Sequence, residues 1–309
     1  GREILVVKMW KIRSWGWSLF RMILVVGICF IIVYPLLNQL SMALRHPSDM
    51  YDMTVNWIPR QFTLMNFETA YELLNYPSAF LGTLLMAASL SLLELIACLV
   101  IGYGFGRFKF KGSNILFAFV LLTIIVPPQM IMVPLFLNFR YFTLFGLIPE
   151  PGLNLLGSSW PMALMAITGT AKRSGLFIYI SRQFFRNMSP SLEEAAYIDG
   201  AGPLRTLFRV MLPNAVPIAV IIFLFSFVWN WNDLFYTELF MRGKTLLPLA
   251  LESLHSRFAG YGDLMTVNGT YIQLVNNAAM ILYIAPVLIL YAFLQRFFVE
   301  SIEKSGIVG

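Results

Sequence analysis

Six stretches of the chain, residues 22–44, 78–102, 115–137, 160–185, 215–240 and 274–298, read as apolar runs long enough to cross a bilayer. A hydrocarbon core takes about 20 helical residues at about 1.5 Å of rise each. Lipid offers nothing to hydrogen-bond with an open backbone, so the expected fold class is an all-α membrane protein of six transmembrane helices. Composition agrees: 58% of the residues are hydrophobic and 12% charged, against about 25% charged in soluble domains. The net charge of +6 does not point to nucleic acid, because Lys and Arg sit mainly between the apolar runs, where they set topology. Cys29 and Cys98 both fall inside runs and read as small core residues, with no support for a disulfide. The first run is too long for a signal-peptide core and lacks a small-residue cleavage site after it, so it is expected to remain as a span.

Six spans put both termini on one side. Arg2, Lys8, Lys11, Arg13, Arg21, Arg107, Lys109, Lys111, Arg182, Arg186, Arg205, Arg209, Arg296 and Lys304 lie on that side. Arg45, Arg60, Arg140, Arg242, Lys244 and Arg257 lie on the other. Fourteen cations against six make both termini cytoplasmic. Residues 1–21, with Trp10, Trp15 and Trp17 among the cations, suit an N-terminal interfacial anchor, or equally a frayed tail, ahead of a six-span domain over 22–309.

Several runs carry residues that a plain span would avoid. Pro127, Pro128 and Pro134 predict a kinked or interrupted third helix. Lys172 and Arg173 fall about eleven residues into the fourth run, near mid-membrane, between Gly169 and Gly175, which permit a break. Charge at that depth costs about 2.5–3.5 kcal/mol even on the lenient insertion scale, so the pair is expected to face a cavity or a partner. One reading lines a translocation path with them, meeting an anionic saccharide such as a uronate oligomer; the other has them salt-bridge a partner subunit, or the span misplaced. Trp229, Asn230, Trp231, Asn232 and Asp233 offer the stacking faces and hydrogen-bonding groups that sugars need, and equally fit an interfacial aromatic belt. The glycines of GYGFGRFKFKG, after the second run, lack the preceding strand of a dinucleotide site and fit close helix packing.

Between the fourth and fifth runs lies a polar handle, RNMSPSLEEAAYIDGAGPLRTLFRVMLPNAVP, residues 186–217. Ser189 before Pro190, or Ser191 with Glu194, signals a helix start; Glu193 and Glu194 suit the positive end of its dipole. Gly200 and Gly202 can end it in left-handed geometry, and Pro203 can open a second short helix ending near Pro213.

Glu194-Ala195-Ala196, Asp199-Gly200-Ala201, Val210 and Leu212-Pro213 resemble, at their offsets, the EAA motif of binding-protein-dependent ABC importer permeases. GYGFGRFKFKG, PPQMIMVPLF, FVWNWNDLFY, LQRFF and the terminal Gly309 extend the likeness to the carbohydrate branch, in particular the maltose-type six-span subunit of type I importer architecture. The resemblance implies a bacterial inner-membrane location and coupling helices at about 189–212 that dock into a cytoplasmic ATPase. Glu193 and Glu194 would lie at that contact, Glu194 making the polar contact itself; Ala195 and Ala196 would allow close approach, Gly200 would form the turn, and Asp199, Leu212 and Pro213 would complete the motif. It implies as partners a second homologous permease, two ATPase subunits, an extracytoplasmic solute-binding protein and a saccharide, with ATP and Mg in the ATPase and no cofactor in this chain. The loop 241–273, with Ala259, Gly260, Tyr261 and Gly262 at its tip, matches in position the loop by which such subunits reach the binding protein; a plain connector fits as well.

No phosphate-binding loop, metal spacing or nucleophile elbow occurs, and His46 and His255 are far apart, so nothing argues for catalysis or a metal site. The competing class is an ion-coupled secondary transporter or channel. It would need carboxylates within spans, where only Glu94 lies deep, and it leaves the handle unexplained.

Overall fold

The computed structural model describes residues 2–52, 54, 57–259 and 271–306, and the regular elements within them are all helical. The chain divides into two units, residues 1–73 with 254–284 and residues 74–253 with 285–309.

In the first unit, helix α1 (Arg2–Ala43) runs unbroken from the basic tail into the first apolar run; its Trp15–Ala43 portion is long and apolar enough to cross a membrane. The tail is therefore continuous with the span, because nothing between residues 2 and 22 stops a helix. Helices α2 (Met65–Leu73) and α14 (Leu254–Ala259) and the first part of α15 (Tyr271–Gly306) complete this unit. Buried Asn66 ties α2 to the end of α1, its Nδ2 donating to the carbonyls of Ala43 and Arg45 at 2.8 Å each. Gly260, Tyr261, Gly262 and Gly309 lie outside the described residues.

The second unit is built around α3 (Tyr76–Arg107), which packs along α7 (Ser174–Asn187) and α11 (Val216–Trp231). Small residues permit the α3–α7 approach. A Cβ on Gly102 would lie 2.3 Å from Ser181 Cβ, and one on Gly106 3.1 Å from the Arg182 carbonyl oxygen, the small-xxx-small spacing of membrane helix pairs. Pro127 and Pro128 separate α4 (Ser113–Ile125) from α5 (Met132–Arg140), Pro134 falls within the first turn of α5 without breaking it, and α4 meets the Pro128–Arg140 segment at 101°. The fourth run is split into α6 (Trp160–Ile167) and α7, with the charged residues in the gap.

Helices α8 (Ser191–Ile198), α9 (Pro203–Thr206) and α10 (Leu212–Asn214) form the handle, and α10 turns through Ala215 into α11. The fifth run also breaks, at Asn232–Leu234, before α12 (Phe235–Met241); α13 (Leu247–Glu252) follows. Among the described residues three helices are long and apolar enough to span alone, and two bent pairs also qualify if each is one span. The fourth run is the one absent from this tally of up to five, because it is split into α6 and α7, of eight and fourteen residues.

Candidate functional site

Two places in the second unit gather the residues singled out in the sequence. The first is the handle. Neither serine caps the helix: Pro190 holds the N-cap position without a side-chain cap, while Ser189 Oγ, one residue earlier, accepts from the Ser191 amide at 3.3 Å and pairs with Ser191 Oγ at 2.7 Å. Gly200, at φ +76°, makes the left-handed turn after α8. Gly202, at φ −76° with extended ψ, does not; it leads into Pro203. A π-helical turn at Leu207–Met211 buries both of those residues in a core with Phe185 and Ile222, and Leu212 packs against it.

The two glutamates of α8 part company. Glu193 turns inward: the Tyr103 hydroxyl donates to its Oε1 at 2.9 Å and Arg107 Nε lies 3.3 Å from its Oε2. The Arg107 and Glu193 side chains are only 10% and 14% exposed. Arg107 Nη2 also donates to the carbonyls of Met188 at 3.0 Å and Ser189 at 3.3 Å, so one α3 side chain holds the corner between α7 and α8. Glu194, Ala195, Asp199 and Pro213 are exposed, whereas Ala196 is buried. Beside them Ile198, Leu204 and Phe208 stand 86%, 73% and 60% exposed. A pinned helix with an open acidic and apolar face can transmit force to whatever covers that face.

The second place is the gap between α6 and α7. Gly169, at φ +68°, turns the chain out of α6. Gly175 does not break the helix; it lies inside α7, where a Cβ would sit 2.3 Å from Thr123 Oγ1 and 2.9 Å from the Val120 carbonyl oxygen of α4. Lys172 and Arg173 open onto a cavity of about 30 Å³, room for a water or two. Leu90, Glu94, Met162, Trp229, Asn230, Asp233 and Tyr236 also line it.

Within the cavity Lys172 Nζ lies 3.1 Å from Asp233 Oδ1, an ion pair inside this chain. Arg173 instead lies over the Trp229 ring, 4.9 Å from its centroid, with Trp229 stacked on Phe177 at 5.3 Å. Asp233 is only 5% exposed; its Oδ2 accepts from the Tyr236 amide, and its carbonyl from the Thr237 hydroxyl.

Glu94, 3% exposed, was singled out in the sequence only as a lone carboxylate within a span. Here it joins three helices: Ser174 Oγ donates to its Oε1 at 2.7 Å and Ser226 Oγ to its Oε2 at 2.5 Å. Asn230 Nδ2 contacts Ser226 Oγ at 3.1 Å and Ser91 Oγ at 3.3 Å. Ser174 and Ser226, both fully buried, carried no sequence signal beyond being small and polar inside apolar runs.

Two residues of the aromatic cluster stay outside the cavity. Asn232 is exposed and donates back to the Val228 carbonyl at 2.9 Å, and Trp231 is buried against Phe80 and Phe227. Among the described residues no group of three or more His, Cys, Asp or Glu could hold a metal.

Comparison with known proteins places this architecture. The chain is 25% identical over 287 residues to the arabinooligosaccharides transport system permease protein AraQ of Halalkalibacterium halodurans, covering 91% of this chain and 93% of that protein. It is 26% identical over 261 residues to the melibiose/raffinose/stachyose import permease protein MelC of Bacillus subtilis, covering 84% and 86%. Its fold matches a chain in the crystal structure of a bacterial ABC transporter involved in the import of the acidic polysaccharide alginate. The TM-score is 0.73 at 22% identity, over 91% of this chain and 96% of that one. The family model described as the binding-protein-dependent transport system inner membrane component matches residues 98–304, well over half of the chain, and this multi-pass bacterial plasma-membrane protein belongs to that family.

Proposed function

We propose that this chain is one of two related permease subunits of an ATP-driven importer of oligosaccharides. The observation that carries the reading is the handle: a short helix clamped to α3 through Glu193, Tyr103 and Arg107, with Glu194, Ala195, Ile198, Leu204 and Phe208 left open. Such a face suits docking into an ATPase subunit, where ATP and Mg bind. Glu194 then makes the polar contact, Gly200 shapes the turn, and Glu193 holds the helix to its own chain. The charge distribution supports six spans with both termini and the handle in the cytoplasm. Closure of two ATPase subunits draws this handle and its counterpart on the second permease together, and the rigid halves alternate access to a path fed by a solute-binding protein.

Named cargoes of the relatives are oligosaccharides, and the α6–α7 cavity is where this chain meets one. Trp229, stacked on Phe177, presents Arg173 to the cavity, and Asn230 offers a hydrogen-bonding amide. Arg173, held by an aromatic ring and without a carboxylate within 4 Å among the described residues, favours a sugar bearing a carboxylate. Lys172 is already neutralised by Asp233 and adds less. Room for a saccharide comes from opening of the cavity and from the second permease.

Uptake into vesicles carrying the purified complex tests this. ATP-dependent accumulation of oligouronates ahead of neutral oligosaccharides of equal length is expected; accumulation without ATP overturns the importer reading, and equal uptake overturns the acidic one.

A further inference from the structure

We infer that the cleft where α3 gives way to α4 binds the phosphate headgroup of an anionic phospholipid. It has a volume of about 600 Å³ and is bounded by the 105–115 turn and by α7. Lys109, Arg182 and Arg186 face it together with the first turn of α4, and no carboxylate lines it. Arg107 also lines the cleft, but its charge is taken up by Glu193. Among the described residues none of Lys109, Arg182 and Arg186 has a carboxylate within 4 Å. Arg182 is fixed in place, its guanidinium 4.1 Å over the Phe117 ring and its Nε donating to the Phe105 carbonyl at 3.3 Å. Gly112, at φ +86°, directs the chain into α4, a helix of thirteen residues whose first-turn N–H groups add to the positive field.

A free phosphate would need only these cations. The cleft continues into an apolar track, because Ile115, which lines it, begins an exposed stripe with Phe119 and Leu122 at the i, i+4, i+7 spacing of one helix face. These residues are 66%, 61% and 48% exposed. Cations at a helix end above an apolar face match an amphiphile with an anionic head and acyl chains. Cations that serve topology alone need neither the cleft nor the stripe. The inference does not depend on what the importer carries.

The test is native mass spectrometry of the full chain, with any subunits that co-purify, from nanodiscs of equal phosphatidylglycerol and phosphatidylcholine. Retained phosphatidylglycerol is expected to exceed phosphatidylcholine by about tenfold. Lys109→Gln with Arg186→Gln is expected to bring the ratio to about one, while Arg242→Gln with Lys244→Gln, in the 241–273 loop, leaves it unchanged. An unchanged ratio in the first variant overturns the proposal. Displacement of the lipid by inorganic phosphate alone also overturns it, in favour of a soluble-anion site. Photo-crosslinking from position 114 in otherwise native protein gives a second reading that does not depend on folding of the double variant. Labelled lipid supports the site, and a labelled protein subunit contradicts it.

Discussion

The handle and the α6–α7 cavity are both polar interruptions between apolar segments, yet they treat charge in opposite ways. In the handle the buried charge is structural: Glu193 and Arg107 hold α8 to α3, and the outward surface mixes Ile198, Leu204 and Phe208 with the exposed charges Glu194, Asp199, Arg205 and Arg209. In the cavity the carboxylates are the buried members, Glu94 and Asp233, and the cations Lys172 and Arg173 stay accessible. A clamp between helices needs its ion pair shielded from water, whereas a cavity that is to meet a polar solute needs charges left accessible.

The largest expected effect removes both regions at once. Gly102→Val places atoms where Ser181 already sits and separates α3 from α7. Overpacking of this kind costs about 1–3 kcal/mol or more, and most of the protein should be lost from the membrane in a fluorescence-detected expression assay. Gly104→Ala, which meets nothing within 4 Å, should express normally.

Next comes the handle alone. Glu193→Gln leaves Arg107 largely buried without its counter-charge, and breaking a fully buried pair costs about 3–5 kcal/mol. With both side chains slightly exposed we expect about 2 kcal/mol. Transport per ATP hydrolysed should fall by up to about thirtyfold, and exchanging the pair as Glu193→Arg with Arg107→Glu should recover part of it. In the cavity, Arg173→Gln should lower preference for acidic over neutral oligosaccharides about tenfold, or about 1.4 kcal/mol. Lys172→Gln should change it less, because Asp233 already holds that cation. Asn232→Ala, exposed and bonded to its own helix, should leave both transport and coupling unchanged.

Much of this was legible in the sequence, and the remainder was not for one physical reason. Local signals are read along the chain: Pro127 and Pro128 gave the bend, Gly169 the break in the fourth run, and Gly102 and Gly106 the close packing. Pairings between distant residues leave no such mark. Lys172 finds Asp233 sixty-one positions away, and Glu193 finds Tyr103 ninety away. The N-cap of α8 fell to Pro190, which leaves Ser189 to accept only from the Ser191 amide, and Trp231 left the cavity because Phe80 and Phe227 enclose it.

The central claim is that the handle's open face takes hold of an ATPase, and affinity co-purification tests it most directly. A tagged wild-type chain and the Arg173→Gln variant are expected to retain an ATPase subunit in equal amount, whereas Ile198→Asp with Leu204→Asp, altering only exposed side chains, should lose it. Absence of any ATPase from the wild-type preparation, or its full retention by the double variant, would contradict the account.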